Sequence, residues 1–206
     1  MLDGWARRRI DPALDVIAGA LHAAGVSANA ITLSAFAIGA AAALAIALGA
    51  LWTGLILILA SRLGDGLDGA IAKRAGRTDL GGYLDIVLDF AFYGMIPLAF
   101  VILDPAANGI PGALLIAVFY ANGASFLAYA AIAEKRGLAG HARGPKSLFF
   151  TTGLAEATET IAVFAAFCLF PAWFAILAYA FAALTAYTAL SRVVLAWRQF
   201  GESNGT

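Results

Sequence analysis

Four aspartates stand at two helical spacings within one short stretch of the chain. Asp65 and Asp68 are three residues apart and Asp85 and Asp89 four apart, so each pair shares one face of a helix. The stretch reads DGLDGAIAKRAGRTDLGGYLDIVLD and lies within otherwise apolar segments. A carboxylate at the centre of a bilayer costs about 2.5–3.5 kcal/mol on insertion scales. Four on neighbouring segments therefore need a partner, and a divalent cation is the most economical one. Oxygen-only ligands suit Mg²⁺ or Mn²⁺, and acids on two helices suit two such ions. Between the pairs, Gly69, Ala72, Gly76 and Gly81 leave room for a ligand against the backbone, while Lys73, Arg77 and Thr78 carry donors for phosphate oxygens. Metal, cations and small residues together are what a pyrophosphate needs. Two ions would polarise its phosphoryl oxygens and stabilise a leaving phosphate. Alternatively, one carboxylate takes the proton of an attacking hydroxyl.

The rest of the chain sets these acids in a membrane. Of 206 residues, 62% are hydrophobic and 13% charged, where a soluble domain has about 45–50% and about 25%. The composition implies an integral membrane protein built as a single domain over residues 1–206, rich in the Ala and Gly that let helices approach closely in lipid. Zero net charge gives no broad footprint for nucleic acid. Cys168 has no second cysteine to pair with. The first residues show neither an apolar h-region nor a small-residue cleavage site, so no cleaved signal peptide is expected.

Residues 1–24 place Leu2, Trp5, Ile10, Leu14, Ile17 and Leu21 at helical spacing among Arg7, Arg8, Arg9, Asp11 and Asp15, a pattern expected of an amphipathic helix on the membrane surface. Six apolar runs of spanning length follow, near 30–49, 51–71, 82–103, 110–133, 148–170 and 172–196. The fold class expected is an all-α polytopic membrane protein, with a six-helix transmembrane bundle over 30–196 after the surface helix. The 13 Lys and Arg avoid the connections around 50, 104–110 and 171. By the positive-inside rule both termini and the mouth of the carboxylate cluster then face the cytoplasm. A bacterial-type plasma membrane is the expected location.

The Asp65–Asp89 segment resembles the motif of the CDP-alcohol phosphatidyltransferase family, D-x2-D-G-x2-A-R-x8-G-x3-D-x3-D. Asp65, Asp68, Gly69, Ala72, Gly81, Asp85 and Asp89 fill its fixed positions. Lys73 stands where arginine is usual, keeping the charge without the bidentate fork. The stretch between Lys73 and Gly81 is one residue short, which most simply shortens the loop between two helices. The segment Ser27-Ala28-Asn29-Ala30-Ile31-Thr32 resembles the T-P-N-x-x-T start of the family's first span without its proline, and by itself also reads as a helix N-cap at Ser27 or Asn29.

The resemblance implies a fold of six transmembrane helices after a surface helix, usually as a homodimer. It also implies a reaction in which a CDP-linked lipid such as CDP-diacylglycerol donates a phosphatidyl-type group to an alcohol acceptor and CMP leaves. On the family pattern Asp65, Asp68 and Asp85 are metal ligands. Asp89 is a further ligand and the general base. Asn29, Ala30, Ile31, Thr32, Gly69, Ala72, Lys73, Thr78 and Gly81 correspond to nucleotide and phosphate contacts.

Outside the motif, Glu156 and Glu159 are again three apart within an apolar run. Such acids are expected either to hydrogen-bond a polyol acceptor or to pair with Arg192. Lys146 and Arg192 together suit the phosphate of an acceptor such as glycerol 3-phosphate or inositol phosphate. Arg62, one turn before Asp65, reads as its neutralising partner, and Asn122 and Ser125 as interhelical hydrogen-bonding groups. Two other classes are consistent with buried acids: a cation- or proton-coupled transporter, and an inactive scaffold. The transporter has no need of the tight D-x2-D-G-x2-A spacing, and no inverted repeat is visible. Four retained acids argue against the scaffold.

Overall fold

The computed structural model describes residues 2–137 and 157–201, with side chains from Arg9 onward. All described secondary structure is helical. In chain order α1 spans Leu2–Ala23, α2 Ala28–Ala47, α3 Leu51–Ala75, α4 Asp79–Leu103, α5 Pro105–Lys135, α6 Ala157–Leu169 and α7 Phe174–Gly201, with a single 3₁₀ turn at Pro171–Trp173.

Local chemistry fixes the ends of these helices. Ser27 caps α2 by accepting from the Ala30 amide at 3.2 Å, so the capping role read from the sequence is made by Ser27. Thr78 caps α4 through the Gly81 amide at 3.1 Å, and Asp104 caps α5 through the Ala107 amide at 3.0 Å. Each cap satisfies one of the amides that a helix start leaves without an internal partner. Gly76 ends α3 at φ 95°, a left-handed conformation that a side chain disfavours. Three residues, 76–78, then suffice to turn the chain into α4. This connection lies within the stretch between Lys73 and Gly81 that is one residue short of the motif.

Packing relies on small residues. A Cβ on Gly54 would lie 2.4 Å from Ile46, and one on Gly64 would lie 2.8 Å from Ala35. These contacts let α2 and α3 approach backbone to backbone. The far end of the core is aromatic: Phe100 of α4 stacks on Phe174 of α7 at 4.9 Å and meets Phe167 of α6 at 5.5 Å. A smaller cluster of Ala18, Ala70 and Ile71 docks α1 on the last turns of α3, joined by Leu21, Ile31 and Leu67.

The expectation of six spanning helices is corrected. Four described helices are long and apolar enough to cross a membrane: α2, α4, α5 and the Pro171–Gly201 segment. α3 has the length, about 37 Å for 25 residues, but its first 18 residues already include Arg62, Asp65 and Asp68. The site chemistry itself removes α3 from the apolar class. α6 is described over 13 residues, about 20 Å against a hydrocarbon core of about 30 Å. Residues 148–156 of that expected run lie outside the described residues.

Candidate metal and phosphate site

The site lies where the last turns of α3 meet the first turns of α4 and α2. Asp65 and Asp68 sit on α3, and Asp85 sits on α4. Their nearest carboxylate oxygens all lie within 4.8 Å of one another. At that separation two like charges repel by about 3 to 4 kcal/mol for an effective dielectric near 20. Asp68 is buried, and its Oδ2 has no hydrogen-bonding partner. Crowded, oxygen-only donors with an orphaned buried carboxylate oxygen are what a hard divalent cation satisfies. The residues present therefore fit Mg²⁺ or Mn²⁺.

Asp89 lies one turn beyond Asp85 on the same helix but stands outside this three-carboxylate group. Its Oδ1 accepts from Arg62 Nη1 at 2.6 Å. The same Nη1 lies 3.6 Å from Asp65 Oδ1. Arg62 thus reaches Asp65 as expected from its position one turn earlier, but Asp89 is the closer partner. No spacing along the chain foretells that pairing, because the two residues lie on different helices.

The expected nucleotide contacts gather beside the acids. A Cβ on Gly81 would lie 3.0 Å from both Asn29 Oδ1 and Thr78 Oγ1, so the start of α2 touches the start of α4. Two helix N-termini, with their partly positive amide ends, therefore converge at this end of the bundle. Thr32 is buried, and its hydroxyl donates to the Ala28 carbonyl at 3.0 Å. Gly69 is exposed, and a Cβ there would meet nothing within 4 Å. Ala30 is exposed and Ala72 half-buried. Ile31 packs its side chain into the Ala18 cluster. Lys73 is exposed at the end of α3. Thr78 accepts from the Gly81 amide, which leaves its hydroxyl proton for a phosphate oxygen.

Beside Lys73, Arg74 Nη1 donates to Asp15 Oδ1 of α1 at 2.8 Å. The Arg74 hydrogen bond, and then its charge, hold the Asp15 carboxyl below the usual carboxylate range. A carboxylate with a depressed pKa contributes stability above its unfolded pKa of about 3.9 and loses it as pH falls through the folded value. At pH 7, Asp15→Asn is expected to speed hydrogen exchange of α1 amides by a small factor, because the pair is exposed and salt-screened. After correction for intrinsic rates, that difference should vanish as pH falls below the carboxylate range. A difference that persists there would mean that Asp15 holds α1 other than by charge.

The expected acceptor residues are only partly described. Lys146 and Glu156 lie outside the described residues. Glu159 is half-buried near the start of α6. Arg192 lies on α7. Its Nη1 donates to Asn122 O and Oδ1, both at 3.0 Å, and to Ser125 Oγ at 2.7 Å. Asn122 and Ser125 thus bond across helices, and Arg192 lines an open cleft of about 150 Å³ with Tyr129, Ile132 and Val193.

Known proteins resemble this chain over most of its length. The model of the CDP-alcohol phosphatidyltransferase family matches residues 25–197. The chain is 44% identical over 193 residues to "Inner membrane protein YnjF" of Escherichia coli, covering 94% of each protein. It is 33% identical over 200 residues to archaetidylinositol phosphate synthase of Methanothermobacter thermautotrophicus, covering 94% of this chain and 91% of that one. Its fold is similar to the crystal structure of Mycobacterium tuberculosis phosphatidylinositol phosphate synthase with CDP-DAG bound. That match has a TM-score of 0.68 at 22% identity, over 89% of this chain and 93% of that chain.

Proposed function

Because the chain belongs to the CDP-alcohol phosphatidyltransferase family, we propose that it transfers a phosphatidyl-type group from a CDP-linked lipid to a phosphorylated polyol and releases CMP. It is an integral membrane enzyme of phospholipid biosynthesis. Family membership overturns the transporter reading. The observation that carries the proposal is the convergence of Asp65, Asp68 and Asp85 from both halves of the motif, beside the helix starts that bear Asn29 and Thr78.

Asp65, Asp68 and Asp85 are the residues to hold Mg²⁺ or Mn²⁺, two ions in the full proposal. When bound, such ions supply Lewis-acid charge to the donor pyrophosphate and the departing CMP. The chain's own residues do the rest. Asn29, Thr78 and the backbone around Gly69 and Gly81 receive the nucleotide. Thr32 and Ala72 shape that pocket, and Lys73 places a cation beside the phosphates. Asp89 takes the proton from the acceptor hydroxyl. As that oxygen bonds to the lipid phosphorus, the bond from phosphorus to the CMP oxygen breaks, and CMP leaves with the electron pair.

The polyol proposal draws support from the archaeal relative, which is named for an inositol phosphate product, and from Arg192. Among the described residues no carboxylate forms an ion pair with Arg192. Its guanidinium is held through Nη1 by Asn122 and Ser125, and it is the cation proposed to meet an acceptor phosphate. Lys146, Glu156 and Glu159 complete the proposed acceptor site. We also propose a single catalytic domain, a homodimer as is usual in the family, and cytoplasmic termini and active site.

The test supplies purified protein with CDP-diacylglycerol, metal and one acceptor at a time: inositol 1-phosphate, glycerol 3-phosphate, inositol or serine. CMP release with a phosphorylated polyol alone is the expected result. Release with unphosphorylated inositol or serine instead would overturn the acceptor assignment.

A further inference from the structure

We propose that Arg62 is a positioning residue: it bridges Asp89 and Asp65, takes the Asp89 carboxylate by the shorter bond, and so reserves Asp89 for proton transfer rather than metal binding. The inference rests on the transferase reading above. Asp85 and Asp89 share a face of α4, so nothing in the helix register divides the four acids into ligands and base. Arg62 does. Its Nη1 lies 2.6 Å from Asp89 and 3.6 Å from Asp65. The shorter bond is a charge-assisted one and selects Asp89.

The guanidinium has two further supports, although its buried Nε has no hydrogen-bonding partner among the described residues. It lies 3.9 Å over the centre of the Phe92 ring. Nη2 donates at 3.2 Å to Ser61 Oγ, which in turn donates to the Ala35 carbonyl of α2 at 2.8 Å. α2 presses on this support closely: a Cβ on Gly39 would lie 2.7 Å from Phe92 and 3.0 Å from Ser61 Oγ. The Arg62 side chain is only 10% exposed, so water competes little for the bond. A planar guanidinium lies flat on a ring while two separate nitrogens donate, a geometry that the single nitrogen of an ammonium reproduces only in part.

The test is a double-mutant cycle read by Mn²⁺ binding, followed by electron paramagnetic resonance without substrate. The proteins are the wild type, Asp89→Asn, Arg62→Gln and the double variant. With Arg62 present, Asp89→Asn should leave Mn²⁺ affinity within about twofold. With Arg62 replaced, a released Asp89 joins the ligands, so Asp89→Asn should lower affinity by about tenfold; both figures are coupling expected between neighbours. An equal effect of Asp89→Asn in both backgrounds would mean that Arg62 acts only as a nearby charge, and would overturn the proposal.

In CMP release, Arg62→Gln should lower kcat at least about tenfold, part of the general-base contribution, with donor KM little changed and kcat partly restored by Arg62→Lys. Where Arg62→Gln does not fold, Arg62→Lys carries the test, and an unchanged kcat in it would overturn the proposal. A wild type silent on CMP release, with the Mn²⁺ cycle as expected, would overturn the transferase reading and leave the anchoring of Asp89 standing.

Discussion

Asp68→Asn is expected to abolish turnover while leaving the protein as stable as before, or more so. Asn keeps the shape and one oxygen but removes the charge that a hard cation requires. Losing one of three carboxylate ligands is expected to remove about 4 kcal/mol of transition-state stabilisation, roughly a thousandfold in kcat/KM. The stability prediction runs the other way. Asp68 is 6% exposed, its Oδ2 has no hydrogen-bonding partner, and two other carboxylates lie close by. An ionised group so placed destabilises the metal-free fold, and a neutral amide relieves the repulsion. The check is CMP release together with thermal unfolding in detergent, with and without Mg²⁺. Wild type should gain Tm on adding metal, by the linkage of binding to stability, and Asp68→Asn should not. A variant that loses activity only because its Tm collapses would mean that Asp68 is structural.

Asp89→Asn is expected to cost about 10²–10⁴ in kcat, the usual contribution of a positioned general base, and to spare metal binding. Here stability should fall modestly. Arg62 is nearly buried and loses its closest charged partner, and breaking a fully buried pair costs about 3–5 kcal/mol. Asp89 is 29% exposed and Asp65 remains 3.6 Å from the guanidinium, so a loss nearer 1 kcal/mol is expected. The two aspartates thus separate by signature: Asp68→Asn loses the metal and keeps the fold, whereas Asp89→Asn keeps the metal and loosens the fold. Measuring Mn²⁺ affinity and Tm on the same preparations checks both. Loss of Mn²⁺ binding in Asp89→Asn would make Asp89 a ligand rather than a base.

The sequence made the carboxylate site legible because its determinants are local. Helical spacing places Asp65 with Asp68 and Asp85 with Asp89. Gly76 and Thr78, which end one helix and start the next, lie in the stretch between the pairs and fold the two halves together. The small residues of the motif likewise announced close approach. Other features were not legible, each for a physical reason. Arg62 meets Asp89 across 27 residues and Arg74 meets Asp15 across 59, pairings set by how the helices pack rather than by any spacing. Asn29 meets Gly81 for the same reason. The span count failed at α3 because length and apolarity part company there: a helix carrying Arg62, Asp65 and Asp68 is long enough to cross but no longer apolar. The acceptor side stayed open because half of its expected residues lie within 138–156, outside the described residues, while Arg192 is placed, among the described residues, by contacts from α5 that its own sequence neighbourhood does not foretell.

The central claim is that the three converging carboxylates hold the ion on which phosphatidyl transfer depends. Its most direct test is CMP release by purified protein from CDP-diacylglycerol and inositol 1-phosphate in excess chelator, then on titration with Mg²⁺ or Mn²⁺. Silence in chelator, followed by saturable recovery with either ion in wild type and none in Asp68→Asn, is the predicted result. Undiminished release in chelator, or equal recovery in Asp68→Asn, would contradict it.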